Sequence, residues 1–132
     1  MNIYRICDRR LSMSTLNVSN ITDGTTTVGT SYVVNGSAKV WALRSTGGTP
    51  SLSGNFNVSS LVDAGTGDTD YNLTNALSNT NGAIAVSNRT SSNRRGIYST
   101  YTTTSEIRTL VYSTSGTAID DAVALIGTGD LA

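Results

Sequence analysis

The chain has 132 residues, enough for one ordinary domain. Nine basic and nine acidic residues cancel to zero net charge, which argues against binding driven by phosphate neutralisation or by an anionic membrane surface. Histidine is absent and cysteine occurs once, so the Ser-His-Asp and Cys-His arrangements, His/Cys zinc sites and intrachain disulfides are all excluded.

Aromatic residues make up only 6% of the chain, and 13 glycines accompany a single proline, Pro50. Ser and Thr fill roughly three positions in ten, well above ordinary usage. Such a composition suits short strands joined by tight turns, because Ser, Thr and Asn compete with a helical backbone for hydrogen bonds. No apolar run approaches the ~20 residues that span a bilayer. The opening residues also lack the apolar stretch of a secretory signal, so synthesis in a cytoplasm is expected. The predicted fold is all-β, an antiparallel β-sandwich, jelly-roll-like, with an extended N-terminal arm.

A boundary is placed at the turn dipeptide Asn35-Gly36, giving an N-terminal anchoring arm over 1–36 and a β-sandwich domain over 37–132. The arm opens with a mixed apolar and basic piece, from which Ile3, Tyr4 and Ile6 are candidate anchoring residues. Leu16, Val18 and Ile21 then nearly alternate, Asp23-Gly24 is a strong turn signal, and Thr25 to Val34 reads as extended. In the sandwich domain, Ala38 to Arg44 alternates, with Trp41 and Leu43 on one face and Ala38, Val40 and Ala42 on the other. Trp41, Leu43, Phe56 and Val58 are the candidate core, which leaves the small residues Ala38, Val40 and Ala42 for the face covered by neighbouring copies in a trimer or by another strand. Phe56, Val58 and Val62 continue as one alternating stretch, 64–68 is a loop, and Tyr71 and Leu73 alternate again. Ala83 to Ser87 is a short strand, Asn88 to Arg95 a polar loop or hairpin tip. Ile97 to Thr104 and Glu106 to Tyr112 pair, and Ala122 to Gly127 is the last strand, with a short helical turn over Ile119 to Leu125 as its competitor.

Chemistry-bearing residues are sparse. Asp63, Asp68 and Asp70 cluster, and Asp120-Asp121 are adjacent, but nothing in the spacing sets two carboxylates across a groove, so turn roles are expected and no catalytic residue is assigned. Asp68-Thr-Asp70-Tyr-Asn72 has the spacing that begins a calcium loop but lacks its glycine and closing glutamate; no metal and no cofactor are expected. Cys7 reads as inert. Arg89, Arg94 and Arg95 are concentrated in one loop and are the candidate partner contacts, able to grip acidic protein or anionic glycan.

Ser37-Ala-Lys-Val-Trp41, Asn55-Phe-Asn-Val-Ser-Ser60, Gly65-Thr-Gly-Asp68 and Tyr71-Asn-Leu-Thr-Asn-Ala-Leu77, in that order, resemble a module of phage tail-fibre and related virion proteins. Met13-Ser-Thr-Leu-Asn-Val-Ser-Asn-Ile is similar to the leader that often precedes it. The likeness departs at Leu73, where the family usually has Phe, and at the inserted Thr69-Asp70, and 88–132 has no counterpart. The resemblance implies a trimeric β-sandwich on a virus particle and no catalytic residue. The expectation is therefore a bacteriophage virion structural protein of tail-fibre type. Its partners would be copies of itself, other capsid or tail proteins and a host glycan or protein, with no nucleic acid and no membrane insertion. A capsid decoration protein is the alternative, a secreted lectin a more distant one, and a tailspike glycan hydrolase a third. A core thin in large apolar side chains points separately to a homotrimer.

Overall fold

A computed structural model describes residues 18–89 and 94–132. The first described elements are the short strands β1 (Asn20–Thr22) and β2 (Thr27–Gly29), paired antiparallel. Asp23-Gly24 turns between them. The Asp23 carboxylate accepts from the backbone N–H groups of Thr26 at 2.7 Å and Thr25 at 3.0 Å. Those two bonds, Thr26 first, hold its pKa below the ordinary aspartate value. The extended reading then fails, because a seven-residue helix, α1 (Thr30–Gly36), replaces the second half of the expected strand. The Thr30 N–H donates to the Ser19 carbonyl at 2.9 Å and its hydroxyl to that of Val18 at 3.1 Å. These bonds fix the first turn and override the strand preference of Tyr32-Val-Val34. The helix ends at Asn35-Gly36, with the Ser37 N–H on the Val33 carbonyl.

Eight further strands follow: β3 (Val40–Arg44), β4 (Leu52–Phe56), β5 (Val58–Gly65), β6 (Asp68–Leu73), β7 (Ile84–Asn88), β8 (Arg94–Thr103), β9 (Glu106–Ser113) and β10 (Val123–Gly127). They form two four-stranded antiparallel sheets, ordered β4-β3-β10-β7 and β5-β6-β9-β8. The described part of the chain is thus all-β apart from α1. A jelly-roll order is not what the sheets have: the pairs β3–β4, β5–β6 and β8–β9 each stay in one sheet as hairpins. The competitor helix at Ile119 to Leu125 gives way to β10.

One core lies between the sheets. Val40, Ala42 and Leu125 enter it from the first sheet, and Val58, Tyr71, Leu73, Tyr101 and Ile107 from the second, with Leu77 closing one end. This reverses the expected orientation of β3. Val40 and Ala42 point inward at 0% exposure, whereas Trp41, at 39%, and Phe56, at 52%, point outward. The second sheet already fills the space with Tyr71, Tyr101 and Ile107, so small residues on β3 complement it where an indole would overfill it. Leu43 shares the outward face and is half-buried; Val58 is the one candidate core residue of the four that is buried.

Phe56 and Val58 do not belong to one strand either. Asn57 between them has φ 61°, a left-handed conformation that Asn tolerates better than most residues, and there the chain leaves the first sheet for the second. The Asn57 carboxamide holds the corner: its oxygen accepts from the Asn75 N–H at 2.7 Å and its NH2 donates to the Asn75 carbonyl at 3.1 Å.

Register gives the molecule two distinct ends. Val40, Gly127 and Ile84 lie side by side at one end of the first sheet, and Arg44, Val123 and Asn88 at the other. At the first end the Tyr101 hydroxyl donates to the Thr128 carbonyl at 2.7 Å and so ties the sheets together. Gly82 and Gly127 permit this closeness: a Cβ on Gly82 would stand 1.9 Å from the Thr128 carbonyl oxygen, and one on Gly127 2.5 Å from the Tyr101 hydroxyl. At the second end Arg44, 1% exposed, donates to the Asp121 carbonyl at 3.0 Å and pairs with Asp120 at 3.4 Å. Asp120 in turn accepts from the Gly67 N–H at 2.8 Å, which fastens the β5–β6 turn to the same cluster.

Candidate functional site

The outer face of the first sheet is the most unusual surface of the described residues. Cross-strand pairing sets Phe56, Trp41, Ile126 and Ala85 in one row over β4, β3, β10 and β7. Gly54, Leu43, Ala124 and Ser87 form the next row. Neither row carries a charge. The Trp41 ring lies over Gly54, whose missing side chain makes room for it: a Cβ there would be 3.5 Å from the indole. Ile126 is 48% exposed, beside Trp41. The two halves of the face differ in relief. The β4–β3 side carries the bulky aromatics, whereas between β10 and β7 there is a shallow recess of about 200 Å³ bordered by Ala85, Ser87, Ala124 and Ile126. Beyond Phe56 the surface continues into a groove of about 580 Å³ lined by Val33, Val34, Ser37, Ala38, Lys39, Phe56, Asp130 and Leu131, apolar in the main but with a charge of each sign. Lys39 is buried at its edge, with its ammonium on the Val34 carbonyl at the end of α1 and on Ser37.

The second sheet is the opposite in character. Its outer face carries Asp68, Asp70 and Asn72 from β6 beside Leu110, Arg108 and Glu106 from β9. The Arg108 Nε lies 2.7 Å from Asp68 and 3.3 Å from Asp70, and the hydrogen bond to Asp68, then the charge of Asp70, raise its pKa. Partial burial raises the Asp70 pKa, with Arg108 opposing. An antiparallel sheet with one packed and one solvated face follows from ordinary alternation; here both sheets turn their inner faces to the shared core, and the outer face of the first sheet is apolar nonetheless.

The acidic residues noted in the sequence have structural partners. Asp63 caps the Gly65 N–H at 3.1 Å, Asp68 and Asp70 hold Arg108, and Asp120 joins Arg44 to Gly67. Asp121 is fully buried, with its carboxylate accepting from the Ala122 N–H at 2.8 Å. The Asp68–Asn72 stretch is strand β6 rather than a loop. No group of three or more His, Cys, Asp or Glu suited to a metal occurs among the described residues.

Of the arginine set, Arg89 is exposed just past β7, its N–H on the Ala122 carbonyl at 3.1 Å. Arg94 and Arg95 open β8, and their side chains lie outside what is described. β7 and β8 belong to different sheets, so the chain changes sheet between Arg89 and Arg94. The anchoring candidates Ile3, Tyr4 and Ile6 lie outside the described residues, as does Cys7.

Fold and surface together define an antiparallel β-module with one core between two four-stranded sheets and an outer face whose two rows are uncharged. Comparison with protein-family models, with curated proteins and with solved structures finds no match.

Proposed function

We propose that the chain is a bacteriophage virion structural protein, a surface-exposed trimeric module of tail-fibre type held to the particle by its N-terminal arm. The observation that carries this reading is the two-ended layout, taken with the ordered motifs between Ser37 and Leu77. The chain passes from α1 into the sandwich at the end where Val40, Gly127 and Ile84 meet. Arg89 lies at the opposite end, beside Asn88 and Val123. A module attached through residues 1–36 would carry Arg89, Arg94 and Arg95 away from its attachment. There these arginines would meet carboxylate or sulfate groups of a host glycan or an acidic protein surface.

A mass-spectrometric inventory of purified particles tests the reading: the chain should be found there, in the copy number of a fibre. A copy number matching the head shell would move the assignment to capsid decoration, and absence from the particles would overturn both. Replacing Arg89, Arg94 and Arg95 together by alanine should reduce host-cell binding of the isolated protein while leaving its folding intact.

A further inference from the structure

We infer that the apolar outer face of the β4-β3-β10-β7 sheet is the surface through which copies of this chain join, the aromatic β4–β3 half of one copy seating in the small-residue β10–β7 half of the next. The inference deepens the trimeric reading above by naming the surface, and it rests on that reading for the number of copies.

Size is the first argument. Phe56, Trp41 and Ile126 are 52%, 39% and 48% exposed. With aromatic side chains offering about 150–250 Å² each, these three leave on the order of 300 Å² of apolar surface in water. Leu43, Ala124 and Ala85, with the adjoining groove of Val33, Val34 and Leu131, bring the continuous area to about 600–700 Å². That exceeds the patch an ordinary monomer shows; divided between two neighbours it gives about 300–350 Å² per copy to each contact, under half the ~800 Å² per partner of a standard two-body interface, so closing the ring with all three contacts is what makes the assembly hold.

The second argument is charge. Neither outward row carries an ionised group, so bringing two copies together over these rows desolvates no charge and sets no like charges together, whereas the adjoining groove does hold Lys39 and Asp130. The outer face of the other sheet, with Asp68, Asp70, Glu106 and Arg108 on it, would meet both penalties.

Shape is the third. The face is not self-similar: its protrusions, Phe56 and Trp41, are on β4 and β3, and its recess of about 200 Å³ is between β10 and β7. A twofold axis that paired like with like would set bulk against bulk. A head-to-tail contact sets bulk against recess, and closed cyclic symmetry completes it without open-ended growth. Three copies around one axis present each face to two neighbours.

The chain contains one tryptophan, and it stands in the middle of this face, so its emission reads the interface directly. Light scattering at micromolar concentration should give three times 13.8 kDa, with blue-shifted Trp41 emission and little acrylamide quenching. On dilution, the red shift should coincide with the loss of mass. Phe56→Asp and Ala85→Lys should each weaken association by ~100-fold or more, by burying an unpaired charge, and Val62→Lys, on the outer face of the other sheet, should leave it unchanged. The double variant F56D/A85K should recover association, because a head-to-tail contact brings position 56 of one copy to position 85 of the next. Circular dichroism of each variant separates misfolding from dissociation.

A trimer whose Trp41 stays quenchable, or that survives both single substitutions, would overturn this inference and leave the trimeric reading standing. Association that the double variant fails to recover would overturn the head-to-tail arrangement. A wild-type protein that is monomeric throughout would remove the trimeric reading and this inference together. A monomer with shielded Trp41 would mean that another part of the same chain covers the face.

Discussion

Replacing Asn57 by alanine and by glycine separates two contributions at the corner where the chain changes sheets. Asn57 makes two hydrogen bonds to the backbone of Asn75, at 2.7 and 3.1 Å, and each contributes about 0.5–1.5 kcal/mol net. Both substitutions delete these bonds, a loss of about 2 kcal/mol. The backbone responds oppositely to the two. At φ 61° alanine takes on a further ~1 kcal/mol or more of left-handed strain, whereas glycine accepts the conformation and loses only ~0.5–1 kcal/mol through its freer unfolded chain. The expected order in urea unfolding, at one protein concentration, is wild type above Asn57→Gly above Asn57→Ala, with losses of about 2–3 and 3–4 kcal/mol. An alanine variant as stable as the glycine one would refute the strain argument. Two variants both within ~0.5 kcal/mol of wild type would refute the clasp itself.

Gly82→Ala should destabilise by about 3 kcal/mol and Gly127→Ala by about 2 kcal/mol, because their new methyl groups collide with the Thr128 carbonyl and with Tyr101 and Val40. Gly48→Ala, which meets open space, should stay within ~0.5 kcal/mol in the same thermal melts. Tyr101→Phe removes the donor to the Thr128 carbonyl and should cost about 1 kcal/mol in urea unfolding; an unchanged midpoint would mean that this bond is not closing the end of the sandwich. Asp70 binds its proton more tightly folded than unfolded, because burial raises its pKa. Its contribution is therefore full at acid pH and is lost as pH rises through the raised value. Asp70→Asn should accordingly gain on wild type between about pH 3 and about pH 7 when their melting temperatures are compared, and a variant that falls behind over that range would contradict the assigned cause.

Local signals carried most of the strand pattern. Asp23-Gly24, the 64–68 turn, the pairing of Ile97–Thr104 with Glu106–Tyr112 and the strand at Ala122–Gly127 all follow from alternation and turn chemistry, which act over a few residues. What alternation leaves open is which face is inner when both are apolar. For β3 the answer depends on Asp121, 77 residues away, which receives Arg44, and on Tyr71 and Tyr101 already occupying the space opposite. Once Arg44 is drawn inward, Val40 and Ala42 go with it and Trp41 goes out. The continuation from Phe56 to Val58 misled for a related reason: one left-handed residue resets the alternation, and its stabilising partner, Asn75, is 18 positions on. The candidate interface was hidden by the same reversal, since its largest members, Trp41 and Phe56, are the side chains a sequence would assign to a core.

The adjacency of β3 and β10 sets how the module would respond to load. They are antiparallel neighbours, and Lys39, just ahead of one, is hydrogen-bonded to Gly127 at the end of the other. Tension applied through the flanking segments would part these two strands one bonded pair at a time, like a zip, rather than stress all their bonds at once in shear. Unzipping is the mechanically weaker mode, so force passing along the backbone through this sandwich would open it from the Val40–Gly127 end. Load carried sideways across the Trp41 face, were copies joined there, would bypass that seam.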